Sequence, residues 1–166
     1  MMADMNYDDI TKLPPEDRKR MASAILYKEM YEAEKAKRKA ATRNEIFGIL
    51  DNFPGRYVVL IGGSGSGKSY EIADRLIDRV VEEPKSRLLG VRAQRNQVSE
   101  SQFPLLKSRV KSTRSAETFK INESKGGEKI QHKTGAEIIF SGLDDVEKLK
   151  SIFDITSVWV NEFGSH

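Results

Sequence analysis

Four glycines, three serines and one lysine fill the eight residues Gly62-Gly63-Ser64-Gly65-Ser66-Gly67-Lys68-Ser69. Glycine at this density lets several backbone N–H groups turn into one concavity, and when a helix follows at once its N-terminus adds partial positive charge. The chemistry served by that arrangement is the binding of phosphate oxygens. Gly62, Gly67, Lys68 and Ser69 satisfy the spacing G-x-x-x-x-G-K-[ST]. In that pattern Gly62, Gly63, Ser64, Gly65, Ser66 and Gly67 form the cradle, Lys68 sets a compact cation near the β- and γ-phosphates of a nucleotide such as ATP, and the Ser69 hydroxyl ligates Mg2+. The blander reading is a glycine-rich turn that binds nothing.

Hydrolysis needs more than a cradle. It calls for a carboxylate that activates water and a group beside the metal, both carried on a neighbouring strand. The stretch Val158-Trp159-Val160-Asn161-Glu162 offers a candidate for each. Glu162 stands where the water-activating acid would be, or else is a polar residue closing a strand. Asn161 occupies the position facing the outer shell of magnesium, where it brings an amide oxygen but no charge.

The elements that must position these residues follow from pattern. Tyr57-Val58-Val59-Leu60-Ile61 is apolar and β-branched and reads as a strand leading into the glycines. Ile72, Leu76 and Val80 recur every four residues and predict a helix that ends at Pro84. RLLGVR, residues 87–92, reads as a second buried strand, which would complete a βαβ unit with parallel strands. A helix is expected over Val98 to Lys111, then short antiparallel strands in KINES, EKIQHKT and AEIIFSG. An aspartate-capped helix in LDDVEKLKSI and a last strand over Ser157 to Glu162 follow. Before all this, residues 1–15 read as a flexible lead, and Pro15 with Glu16 and Asp17 opens a long helix whose second half, EAEKAKRKAATR, carries no apolar stripe. That arm is either a docking helix with a solvated basic end or a contact for DNA or a partner subunit. The expected division is a lead and helical arm over residues 1–45 and a phosphate-loop domain over 46–166.

Composition narrows the chemistry. With 166 residues the chain has the size of one domain, and its net charge of +3 is too small to demonstrate a polyanionic partner. The absence of cysteine excludes disulfides and thiolate metal sites, and two histidines, His132 and His166, leave little for a zinc site or a histidine-based catalytic triad. The acidic, proline-bearing start is unlike a secretory signal, no apolar run is long enough for a membrane span, and a cytoplasmic location is expected.

Four stretches in order, GGSGSGKSY, LLGVRAQRNQVSESQFPLLKSRV, TGAEIIFSGLDDVEKLKSI and VWVNEF, resemble the N-terminal ATPase part of phage terminase large subunits, the DNA-packaging motors. The resemblance covers roughly residues 46 to 163. It implies an incomplete P-loop NTPase fold of the ASCE type, mostly parallel in its sheet, with the helical arm and a β-hairpin inserted. It also implies ATP hydrolysis with Mg2+, coupled to translocation of double-stranded DNA into a procapsid by a homo-oligomeric ring of full-length subunits. That ring would dock on the portal protein with a small terminase subunit, in the cytoplasm of the bacterial host. Glu162 would be the activating acid of the Walker B strand. Lys150 stands where relatives carry a basic finger toward a neighbour's ATP, or is a surface lysine; Arg92 matches a family position without an assigned role. Ser64 and Asn161 replace charged residues common in relatives. The chain is expected to be a fragment stopping just after Walker B, without the nuclease domain.

Two other readings stay open on sequence. One is a small P-loop kinase, for which Arg109 and Arg114 are the evident lid arginines. The other is a nucleotide-binding remnant without turnover.

Overall fold

A computed structural model describes residues 14–42, 45–113 and 116–161, which group into two compact units, Met1–Thr42 and Arg43–His166. The first unit contains helix α1 (Pro15–Thr42), with Glu16 and Asp17 in its first turn against the positive end of the helix. Leu26 and Met30 of its sparse apolar positions are exposed. The lead of residues 1–13 lies outside the described residues.

The second unit opens with a 3-10 helix, Glu45–Asn52, and helix α2 (Lys68–Glu82). The four-residue repeat of α2 does what its spacing predicts: Ala73, Leu76, Ile77 and Val80 are buried, with Ile72 packed alongside. Strand β1 (Arg87–Arg92) follows and is buried over nearly its whole length. Next comes a helical run in three pieces: α3 (Arg95–Gln97), a π-helical segment Val98–Gln102, and α4 (Phe103–Lys111). The wide π turn has a local cause. Pro104 lacks an N–H and its ring would press on the carbonyl four residues back, and widening the turn before it relieves both problems.

Strands β2 (Phe119–Asn122), β3 (Lys129–His132) and β4 (Glu137–Gly142) form an antiparallel meander, and after α5 (Val146–Lys150) the strand β5 (Ser157–Val160) closes the described chain. All five strands make one sheet in the order β2-β3-β4-β1-β5. β1 runs parallel to β4 from Arg87↔Glu137 to Arg92↔Gly142, and parallel to β5 from Leu88↔Ser157 to Val91↔Val160. The core lies between this sheet and helices α2 and α4, where Phe103 meets Phe140 edge-on at 5.5 Å and Trp159 is buried. Gly90 leaves room for that ring, since a Cβ there would stand 2.8 Å from Phe140 Cδ1.

Two expectations are overturned. The sheet is not mostly parallel: the β2-β3-β4 meander makes three of its five strands antiparallel to a neighbour, and the sheet is mixed. Nor does Tyr57 to Ile61 form a strand, so the expected βαβ unit is absent. Tyr57, Val58, Val59 and Ile61 are exposed, Ile61 at 93%. An apolar β-branched run carries strand propensity, but a strand exists only where a partner takes its N–H and C=O groups, and here the parallel neighbours of β1 are β4 and β5 instead.

Candidate functional site

The glycine run forms a tight turn directly before α2. Gly65 (φ 78°) and Gly67 (φ 84°) adopt left-handed backbone, which side-chain-bearing residues resist. Gly67 is the N-cap of α2, and no side chain caps that end. The first-turn amides of a 15-residue helix therefore face outward without a side-chain acceptor. Lys68 folds back over the turn, its Nζ donating to Gly62 O at 2.6 Å, Gly63 O at 2.8 Å and Ser66 Oγ at 2.8 Å. A Cβ on Gly62 would lie 3.6 Å from that amine, so the lysine sits in the concavity of the turn. Ser69 is half-buried in the first turn of α2, and Ser64 is exposed at the tip of the loop.

The turn is braced from below. Arg75 of α2 donates to Glu71 Oε1 at 2.7 Å, to Phe47 O at 3.1 Å and to Asp51 Oδ1 at 3.0 Å, tying the 3-10 helix to α2. Buried Phe47 then lies where a Cβ on Gly67 would meet its ring at 3.7 Å.

A second polar group gathers where β1, β4 and β5 end. Arg92, buried, donates to Ser101 Oγ, and Ser101 Oγ donates to Gln97 O at 2.7 Å. Arg95 donates to Glu128 Oε2, and Ser99 donates to Glu128 Oε1 at 2.5 Å. Burial alone would raise the Glu128 carboxyl, but the Ser99 hydrogen bond and the Arg95 charge hold it below the usual range. Asp144 accepts from Arg95 N at 3.1 Å, and Asp145 accepts from Lys148 N at 3.1 Å. The two aspartates of GLDD thus cap α3 and α5 respectively, the second as its sequence position predicts.

Of the residues selected from sequence, the structure brings together Lys68, Gly62, Gly63 and Ser66. Asn161 is half-buried just past β5 and donates its backbone N–H to Val91 O at 3.1 Å. Among the described residues no hydrogen bond joins it to the loop. Glu162 and Arg114 lie outside the described residues. Lys150 is exposed on α5 and pairs with Glu147 at 2.8 Å, a surface pair of small energetic weight. Arg109 donates from Nε and Nη2 to the two carboxylate oxygens of Asp74, and these bonds, with the Asp74 charge, hold the guanidinium above its usual range despite partial burial. Among the described residues no three carboxylates or histidines cluster to hold a metal.

Sequence reading passed over two residues that organise this edge. Asp144 stands beside the cap it does identify. Gln102 interrupts an otherwise apolar four-residue series, Val98, Leu106 and Val110, all fully buried; a polar residue in such a stripe is the signal that marks it.

Residues 55–165 match the family described as phage terminase large subunit. The "PBSX phage terminase large subunit" of Bacillus subtilis (strain 168) is 27% identical over 111 residues, covering 67% of this chain and 25% of that protein. The "Terminase, large subunit" of Bacillus phage SPP1 is 35% identical over 109 residues, covering 63% of this chain and 25% of that protein. This chain therefore spans about a quarter of the length of the curated relatives it matches. The matched stretch contains the glycine turn and every strand of the sheet, and it is more than half of the molecule: the chain belongs to the phage terminase large-subunit family.

Proposed function

We propose that residues 46–166 bind ATP with Mg2+ and hydrolyse it, as ATPase part of a terminase large subunit that drives double-stranded DNA into a procapsid. The observation that carries this reading is Lys68 Nζ held in the concavity of the glycine turn at an uncapped helix N-terminus. Its three donors rest on neutral acceptors, two carbonyls and a hydroxyl. A phosphate oxygen is an anionic acceptor, and exchange toward it gains a charge-assisted bond. The amides of the first turn of α2 would take the remaining phosphate oxygens.

Ser69 and Asn161 fit magnesium in donor chemistry, both offering oxygen. Mg2+ at nucleotide sites commonly takes only one or two protein oxygens beside phosphate oxygens and waters. Bound there, Mg2+ supplies neutralisation of the charge that develops on the phosphoryl oxygens. Ser69 would hold it directly and Asn161 through a water. Glu162 would take the proton of the attacking water, and Lys150 would reach a neighbouring subunit's nucleotide in a ring. Double-stranded DNA, a portal protein and a small terminase subunit are the partners this role calls for, in the cytoplasm of the bacterial host. No described helix is long and apolar enough to cross a membrane.

Thermal unfolding with and without Mg·ATP tests the site. At a hundredfold excess over Kd, ATP should stabilise the fold by about 2.7 kcal/mol. Lys68→Ala should lose that protection while its unliganded melting stays unchanged, because its bonds lie in an exposed loop. Glu162→Gln should keep the protection and lose phosphate release. Equal protection of the lysine variant sinks the assignment; transfer of phosphate to a small acceptor by the wild type would make the protein a kinase.

A further inference from the structure

Gln102 is 1% exposed and is the last residue of the π-helical segment. Its Nε2 reaches Val91 O at 3.3 Å and Trp159 O at 3.5 Å, so a single amide spans β1 and β5 near the ends of both strands. Val91 O also accepts from Asn161 N–H at 3.1 Å. The amide therefore sits on the residue pair that places Asn161. The Oε1 of Gln102 is buried and has no hydrogen-bond partner among the described residues.

That last feature decides between packing and function. A buried carbonyl oxygen without a donor costs stability, and a leucine at 102 would complete the apolar series of Val98, Leu106 and Val110 at little volume change. Packing alone favours leucine. Gln102 breaks a local rule where the gain must lie elsewhere, and such breaks belong to sites that need a fixed geometry. The gain visible here is the cross-strand tie. Among the described residues β5 pairs with β1 alone, so the Gln102 amide adds a side-chain tie to the backbone ladder that holds its last residues. The preceding residue, Ser101, accepts from Arg92 at the end of β1, and Ser99 reaches Glu128 next to β3. The π turn thus puts consecutive side chains on the edge of the sheet where the proposed metal-facing residue emerges.

We propose that Gln102 is a positioning residue for Asn161: it holds the end of β5 against β1 and so sets where the Asn161 amide stands toward Mg2+. This rests on the reading of Asn161 given under Proposed function. Gln102 itself touches neither metal nor nucleotide in this role.

The experiment uses the full chain as wild type, Gln102→Leu and Gln102→Met, the second an unbranched apolar side chain that keeps the test valid if the branched leucine crowds its neighbours Gly90 and Phe140. Backbone hydrogen exchange and the Mg2+ concentration for half-maximal ATP protection are read on each. The variants should exchange about tenfold faster at residues 158–161, equivalent to about 1.4 kcal/mol, with the β1–β4 pairing unchanged and the midpoint of thermal unfolding equal or higher. Their Mg2+ requirement should rise by a similar factor while metal-free nucleotide binding stays the same. Unchanged exchange overturns the proposal, and so does faster exchange with an unchanged Mg2+ requirement, which would leave Gln102 a structural tie. Failure of the functional reading shows separately, as a wild type that gains no Mg2+-dependent protection from ATP.

Discussion

Arg109 and Asp74 meet as a two-pronged fork, with Nε 2.8 Å from Oδ1 and Nη2 2.7 Å from Oδ2, and the Arg109 guanidinium also stands 5.8 Å from the Tyr70 ring centre. The fork joins α4 to α2, the helix whose first turn carries Lys68 and Ser69. Both side chains are largely withdrawn from water, at 15% and 19% exposure, so the pair is screened less than a surface bridge and its loss leaves a poorly solvated charge behind. Arg109→Met and Asp74→Asn should each destabilise the fold by about 2 kcal/mol. In a double-mutant cycle by chemical denaturation the two should couple by more than about 1 kcal/mol. Strictly additive effects would mean the fork contributes no joint stability.

Gly142 ends β4 where the caps of α3 converge. A Cβ there would fall 1.9 Å from Asp144 Oδ1, 2.5 Å from Arg95 N and 2.8 Å from Arg95 Cα. Two of those atoms are backbone and cannot swing aside, so Gly142→Ala must displace α3 or lose the Asp144 cap, at a cost of about 2–3 kcal/mol. Gly63→Ala is the matched control, since a Cβ at 63 meets nothing within 4 Å. Its unliganded stability should stay within about 0.5 kcal/mol of wild type. Equal stability of the two variants in urea titrations would show that the close approach at Gly142 relaxes freely.

What sequence discloses here is local, and what it withholds is pairing. Ile72, Leu76 and Val80 specify one face of α2 through their spacing, Asp145 announces α5 through its cap, and the glycines of the turn need left-handed backbone at Gly65 and Gly67. Each is decided within a few residues. The neighbours of β1 are chosen across about fifty to seventy residues of chain, and nothing in RLLGVR names Glu137–Gly142 and Ser157–Val160 as its partners. For the same reason the strand propensity of Tyr57 to Ile61 overrules nothing: propensity does not supply an acceptor. The lysine in the glycine turn was legible from a motif. The tie made by Gln102 depends on a π turn that shifts the helix register, and spacing alone shows only that a polar residue stands in an apolar series.

His132 on β3 gives the fold an acid sensitivity with a definite sign. It is 4% exposed, lies 4.8 Å from the Phe119 ring, and keeps Nδ1 2.9 Å from Thr134 Oγ1, while Nε2 is buried with no hydrogen-bond partner among the described residues. Protonated, the ring would carry N–H groups on both nitrogens, one of them without an acceptor and out of water. Burial first, then the neighbouring Lys133 charge, push the imidazole down to about 4 from 6.5. The unfolded chain therefore binds a proton at a higher pH than the native one. The stabilisation is fully present above pH ~6.5 and drains away as pH falls toward ~4, at most about 1.4 kcal/mol per pH unit. Urea denaturation of the wild type and His132→Gln at matched pH isolates this contribution from the carboxylates, which titrate in both. Between pH 6.5 and 4.5 the wild type should lose about 2 kcal/mol more than the variant. Parallel pH profiles for the two proteins would mean that His132 takes up its proton in the folded state as easily as in the unfolded chain.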